Sequence, residues 1–250
     1  MGLTIESDLA VPMRDGVALA TDVWRPDGPG PWAVLLARTP YGRTSTEHLG
    51  NAKLPDIRAL VDGGYVVVVQ DVRGTSGSPG PFEPHRFDQR DTVDTLAWIA
   101  DRPWSDGTVG MWGASYLGFA QWQVATQAPP GLRAIAPTMT SGDIYRAWYS
   151  GQGGLSQGTL FNWSARVALA NLARADDDAS RRADAAEVLA ALTHTDTLYS
   201  LPDGLRAALV RALPWFGEVL AHRDRDAYWE PFNAGTVIAD ERSRAANGSQ

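Results

Sequence analysis

The sequence has no cysteine in its 250 residues, which excludes disulfide scaffolds, thiolate metal sites and a cysteine nucleophile. Lysine is almost missing too. Lys53 is the single one, and the rest of the 22 basic residues are arginines scattered without a dense run, against a net charge of −7. A nucleic-acid binder concentrates its cations on one face, so no nucleic-acid partner is expected. No apolar stretch approaches the roughly 20 residues of a membrane span. The start, MGLTIESDLAVPMRDG, has no basic segment leading into an apolar one. No signal peptide and no membrane partner are therefore expected, and the expected location is the cytoplasm. Hydrophobic residues nevertheless make up 44% and charged residues 20%, the balance of a globular fold. The length suits one large domain, or a core with a subdomain.

Strand-like and helix-like segments alternate through the first part. ALATDVWRP (18–26), WAVLLART (32–39), YVVVVQD (65–71), TVGMWGAS (108–115) and LRAIAPT (132–138) read as strands, YVVVVQD being apolar on both faces like a central parallel strand. Between them, LPDIRALVDGG (54–64) has helical spacing and ends at Gly63-Gly64. The segment 88–101 places Val93, Leu96, Ala97 and Ala100 on one helical face, and 116–128 reads as the next helix. This alternation predicts an α/β fold, a mostly parallel sheet with helices on both faces. From about residue 140 the pattern changes to helices at 160–174, 179–193 and 203–222. The second of these offers Ala183, Ala186, Val188, Leu189 and Leu192 as its apolar side, and Pro214 is expected to kink the third. The expected organisation is a core at 1–140, a helical cap at 141–233 and a divergent or disordered tail at 234–250.

One short stretch carries chemistry. VGMWGASYLGFA (109–120) puts Ser115 at the end of a buried strand and directly before a helix. Small residues on either side relieve crowding in such a strained turn, so that a hydroxyl projects above the sheet, with the helix N-terminus aimed at the same place. Gly113 lies two residues before Ser115 and Gly118 three after it, one more than in the usual G-x-S-x-G. Taken alone, the segment is as compatible with a glycine-rich bend as with a nucleophile. RGTSGSPG (73–80) lacks the G-K-[ST] ending of a phosphate loop. Asp176-Asp177-Asp178 reads as a solvated helix start, and no metal is assigned to it.

Several further stretches narrow the choice. RTPYG, GYVVVVQDVRG, DTVDTLAWI and WSDGTVGMWGASYLG follow one another in order, and DIYRAWYSGQGGL and FNWSARVA come after them. Together, over about residues 8–233, they resemble the X-Pro dipeptidyl-peptidase and bacterial cocaine-esterase (CocE/NonD) family of α/β-hydrolase serine hydrolases, nearer its esterase branch. The resemblance implies Ser115 as nucleophile, the Tyr116 main-chain N–H as one oxyanion donor and the Tyr41 phenol as the second. It also implies Trp148 and Trp163 as aromatic contacts to the acyl group of a small-molecule ester. Read without the family, Tyr41 is an ordinary loop tyrosine, and the two tryptophans are as compatible with core packing of the cap as with substrate contact.

A serine nucleophile needs a base and an acid. The resemblance places both after the cap, in G-W-Y-D-like and G-P-W-x-H-like segments that do not occur here. Triad acid and base are therefore unassigned, and the last strands of the fold are expected to be missing. Of the four histidines, His48 lies in a polar loop and His85 in the loop after a strand. His194 and His222 fall at helix ends, where a cation suits the dipole. Asp71 is expected to anchor Arg73 or the loop backbone. A truncated or frameshifted product is one expectation, with an uncovered sheet edge that favours self-association. Three readings stay open: an esterase acting through an acyl-enzyme, a dipeptidyl peptidase (for which the sequence offers no clear acid to grip a free amine), and a non-catalytic remnant or binding module. None calls for a cofactor.

Overall fold

The computed structural model describes residues 2–44, 56–149, 154–173 and 179–234. Lys53, His48, Asp176–Asp178 and the tail from residue 235 lie outside the described residues. Two compact units are present, one being Ile144–Pro231 and the other the chain before it together with the residues that follow it.

The first unit is built on six strands: β1 (Leu3–Pro12), β2 (Ala18–Pro26), β3 (Trp32–Thr39), β4 (Val66–Asp71), β5 (Ser105–Ala114) and β6 (Leu132–Thr138). They lie in the order β1-β2-β4-β3-β5-β6. β4, β3, β5 and β6 run parallel, whereas β2 pairs antiparallel with both β1 and β4. YVVVVQD is thus central, as its composition predicts, but parallel to its neighbour on one side only. Strand β1 was not anticipated. LTIESDLAVP carries Glu6, Ser7 and Asp8 in its middle, at a register shift between Glu6 and Leu9 that breaks the alternation.

Three helices complete this unit: α1 (Ile57–Asp62), α2 (Asp88–Ala100) and α3 (Tyr116–Ala125). The β3-α1-β4 crossover moves one way along the sheet, while β4-α2-β5 and β5-α3-β6 move the other. Right-handed crossovers then put α1 on one face and α2 with α3 on the opposite face. This covers both sides of β4, and Val66, Val67, Val68 and Val69 are all fully buried. Leu96 and Ile99 from α2 and Val124 from α3 pack onto Val34, Leu36, Val109 and Met111 of the sheet.

The face that α2 buries differs from the one its apolar residues suggest. Ala97 and Ala100 are exposed, while Asp88, Asp91, Thr92 and Thr95 are buried beside Leu96 and Ile99. Polar partners on the sheet decide this. Arg38 of β3 and Gln70 of β4 point at that face and satisfy its carboxylates and hydroxyls. Burial without those bonds would cost several kcal/mol per group.

The second unit is helical: α4 (Ile144–Trp148), α5 (Gln157–Ala173), α6 (Ala179–Thr193), α7 (Thr195–Ser200), α8 (Asp203–Ala212) and α9 (Pro214–Ala221), then a 3₁₀ turn at Ala227–Phe232. Pro214 does more than kink a helix: it opens a new one as the first residue of α9, where its missing N–H has no cost. On α6 the buried stripe is Asp184, Val188 and Ala191, not Ala183, Ala186 and Leu189, which are exposed. Asp184 accepts from Arg211 Nε of α8 at 3.0 Å, so the carboxylate on the buried stripe has a partner. Among the described residues no helix is long and apolar enough to cross a membrane.

Candidate active site

Parallel strands send the loops that follow them to one edge of the sheet, so those after β3, β4, β5 and β6 leave together. Ser115 stands at that edge between β5 and α3, exposed, with φ 57° and ψ −117°. For a non-glycine residue this is a strained conformation, of order 1–3 kcal/mol, that surrounding structure must hold. The holding contacts are visible. Ser115 N–H donates to the Thr138 carbonyl at 2.9 Å. Gly113 has φ 135°, and a Cβ there would lie 2.5 Å from Leu117 Cβ; a Cβ on Gly118 would lie 2.7 Å from Thr140 Cγ2. The offset second glycine is thus needed where helix α3 crosses Thr140. Gln121, fully buried, stitches the turn from behind: its Nε2 donates to the Leu117 carbonyl at 3.0 Å and its Oε1 accepts from Ala136 N–H at 2.9 Å.

Tyr116 opens α3, where an N–H has no acceptor within the helix. Its ring is buried and lies against His85, centroids 3.9 Å apart. The phenol oxygen accepts from the His85 main-chain N–H at 3.1 Å and is hydrogen-bonded to the Asp88 carboxylate. Asp88 Oδ2 is 3.1 Å from His85 Nδ1, and Oδ1 accepts from Arg38 Nη1 at 3.0 Å. Burial pushes His85 below the usual histidine range, outweighing Asp88. Burial also acts to raise Asp88, but the His85 bond and the Arg38 charge outweigh it and hold Asp88 below the usual carboxylate range. Burial and then the Asp88 charge raise Tyr116 well above the phenol range. His85 is therefore built into the wall behind the turn.

Tyr41 lies half-buried in the loop after β3, its N–H bonded to Thr39 Oγ1 at 3.0 Å. What fixes that loop is Arg43. Its N–H and its Nη1 donate to Asp71 at 2.6 and 2.7 Å, its Nε donates to Asp22 at 2.9 Å, and Nη2 pairs with Asp8. Asp71 also accepts from Gly77 N–H at 3.0 Å. It does anchor loop backbone, but its arginine is Arg43; Arg73 pairs with Asp91 at 2.7 Å and with Asp15. One guanidinium faces three carboxylates here. Burial first, and then the Asp71 charge, push Asp22 up to about 6.

Trp148 and Trp163 belong to the second unit, with ring centroids 6.1 Å apart. Trp148 is buried, stacked on Trp215 at 5.8 Å and edge-on to Trp229 at 6.1 Å; Trp163 is half-buried. His222 ends α9 with Nδ1 on Asp226 at 2.6 Å, and His194 caps the start of α7 directly after α6. Sequence reasoning passed over Arg38, Asp88, Gln70 and Gln121. The signal for Asp88 was there: Asp88, Asp91, Thr92 and Thr95 repeat at helical spacing beside an arginine and a glutamine at strand ends.

Comparison with known proteins bears on this edge of the sheet. Residues 15–246 match the family model of X-Pro dipeptidyl-peptidase (S15 family). The chain is 42% identical over 231 residues to the cocaine esterase of Rhodococcus sp. (strain MB1 Bresler), covering 91% of this chain and 40% of that protein. Among solved structures, an alpha-amino acid ester hydrolase superposes with a TM-score of 0.68 at 26% identity, covering 95% of this chain and 40% of that one. A CocE/NonD family hydrolase from Staphylococcus aureus gives 0.66 at 25% identity, covering 94% and 39%. The chain thus spans about two fifths of the length of these relatives. Their α/β-hydrolase type of fold is also the fold found here. With the motifs in order and the family model matching the chain over residues 15–246, the chain belongs to the X-Pro dipeptidyl-peptidase (S15) family.

Proposed function

We propose that this chain carries the nucleophile half of an acyl-ester-hydrolysing serine site. The observation that supports it best is the Ser115 joint: an exposed serine at φ 57° between a buried strand and a helix, the geometry of a nucleophile elbow. Ser115 Oγ would attack the ester carbonyl. The Oγ–C bond forms, the serine proton passes by way of a base to the departing alcohol, and water later releases the acid from the acyl-enzyme. The Tyr116 N–H and the Tyr41 O–H would hold the oxyanion, and losing one such donor costs about 3 kcal/mol of transition-state stabilisation. The Arg43–Asp71 bonds that fix the Tyr41 loop support that role. Trp148 and Trp163 as acyl contacts rest on the family resemblance. The 42% identity to a cocaine esterase favours an ester over an X-Pro peptide. Base and acid are not assigned to any residue of this chain.

The test is labelling of the 250-residue chain with a fluorophosphonate, with Ser115→Ala as control. Labelling that Ser115→Ala abolishes is the expected result, and Tyr41→Phe should slow it about tenfold or more. A folded chain that stays unlabelled would overturn the proposal for this chain and favour a binding module.

A further inference from the structure

We propose that Arg43 is a positioning residue for the Ser115 site, acting on Tyr41 two residues before it, with the Asp71 carboxylate as its anchor. The inference rests on the reading of the Tyr41 O–H as an oxyanion donor. β3 lies between β4 and β5 and runs parallel to both, so the loop after β3 leaves the sheet beside the strand that ends next to Ser115. Residues 39–43 form a short arc with Tyr41 at its middle, and both ends of the arc come back to the end of β4. At the first end the Thr39 carbonyl accepts from Val72 N–H at 2.9 Å. This main-chain bond continues the register that sets Thr39 beside Asp71, and it depends on no side chain. At the second end Arg43 N–H donates to Asp71 Oδ1 at 2.6 Å. Gly42 turns the chain back between them at φ 96°, a conformation that glycine adopts without a steric penalty. Within the arc Tyr41 N–H donates to Thr39 Oγ1 at 3.0 Å.

The second end is the one that side chains control. Asp71 is fully buried and takes Arg43 twice, the main-chain N–H on Oδ1 and Nη1 on Oδ2 at 2.7 Å. Oδ2 also accepts from Gly77 N–H at 3.0 Å, so one carboxylate ties the arc to the loop after β4. Arg43 is held from the other side as well: its Nε donates to Asp22 of β2 at 2.9 Å, and its Nη2 pairs with Asp8 of β1. The contacts therefore run from β1, β2 and β4 to the residue that closes the Tyr41 arc. Stability alone does not call for this arrangement. One carboxylate suffices to pair a guanidinium, and each further buried one adds a desolvation cost. The neighbouring loop also leaves the space that Arg43 needs. A Cβ on Gly77 would lie 2.6 Å from Arg43 Nη1 and 2.9 Å from Ala20 Cβ, so a side chain there would push the guanidinium off Asp71.

The experiment uses the 250-residue chain and the variants Asp71→Asn and Gly77→Ala, each alone and combined with Tyr41→Phe. Asparagine has a single oxygen and cannot accept at both ends of the clamp. Gly77→Ala leaves every charge in place, so it decides the question should Asp71→Asn fail to fold. Fluorophosphonate labelling is followed against reagent concentration, and backbone ¹⁵N order parameters are read at Tyr41 and at Val68 in β4. Each single variant should lower the maximal labelling rate about tenfold, no further than Tyr41→Phe itself, because a displaced donor loses at most what an absent one loses. Half-saturation should stay unchanged, and neither variant should slow labelling further once Tyr41→Phe is present. The Tyr41 N–H should move from the rigid range of about 0.85 toward the flexible range below about 0.6, with Val68 unchanged. A loss of labelling that persists in full on top of Tyr41→Phe would mean a structural role only and would overturn the proposal. So would an unaffected labelling rate, unchanged order at Tyr41, or loosening that spreads equally to Val68. If the parent chain is not labelled, the reading of Ser115 fails for this chain. The order parameters then decide alone whether Arg43 and Asp71 hold the Tyr41 arc.

Discussion

At the scale of single residues, the site is legible where backbone geometry forces a residue type and hidden where a partner does. Gly113, Ser115 and Gly118 announce a tight strand-to-helix turn in any reading, because only small residues fit it. Asp88 could not be found that way. An aspartate at a helix start reads as a dipole complement, and its place in a buried network depends on Arg38, fifty positions away. The same contrast makes a prediction about glycine. Gly113→Ala places a methyl 2.5 Å from Leu117 Cβ at φ 135°, whereas Gly107→Ala, at φ 79°, meets nothing within 4 Å. Gly107→Ala should therefore cost only the left-handed penalty of roughly 1–2 kcal/mol. Gly113→Ala adds overpacking to backbone strain and should cost about 3 kcal/mol or more. Urea unfolding of the two variants checks the order. Equal costs would show that Leu117 moves aside freely and does not lock the turn.

At the scale of elements, strands β2 to β6 could be read because their alternation or β-branched runs coincide with burial. The longer helices were found, the short α4 and α7 were not, and the faces of α2 and α6 were misread, for one physical reason. Periodicity of apolar residues finds a buried face only when that face is apolar. Both α2 and α6 bury aspartates that arginines satisfy, Asp88 by Arg38 and Asp184 by Arg211. β1 escaped because its charged middle coincides with a register shift. On α6 the correction has a measurable consequence. Leu189 is 52% exposed, while Leu209 of α8 is fully buried. Leu209→Ala should destabilise by about 2–5 kcal/mol through lost burial and a cavity. Leu189→Ala should stay within about 0.5 kcal/mol of the parent. Thermal or urea midpoints of the two variants decide it. A large loss at Leu189 would restore the face that the apolar pattern first suggested.

At the scale of the whole molecule, the sum of charges is legible in the sequence but their crowding is not. A net charge of −7 says nothing of where three carboxylates meet one guanidinium. In the fold Asp8, Asp22 and Asp71 all face Arg43, and Asp22 is pushed up to about 6 by burial and by Asp71. The sign is opposite to the usual one for a carboxylate beside an arginine, because burial and the Asp71 charge prevail. Between the unfolded value of 3.8 and about 6, the folded chain holds a proton at Asp22 that the unfolded chain has released. Where the folded state binds more protons, stability falls as pH rises. The Asp22 contribution is therefore most favourable below about pH 4, erodes between 4 and 6, and is fully lost above 6. Asp94 and Asp184 act the other way: both are held below their ordinary value, burial notwithstanding for Asp94, so their contributions fade only in acid below that window. A comparison of the parent with Asp22→Asn isolates the Asp22 part, since asparagine keeps an oxygen for Arg43 Nε but cannot ionise. Urea midpoints from pH 4 to pH 8 should show the variant gaining on the parent between pH 4 and 6, then a constant difference above 6. A difference independent of pH would mean that Arg43 neutralises Asp22 fully, and that its two other carboxylate partners are the ones left short of charge.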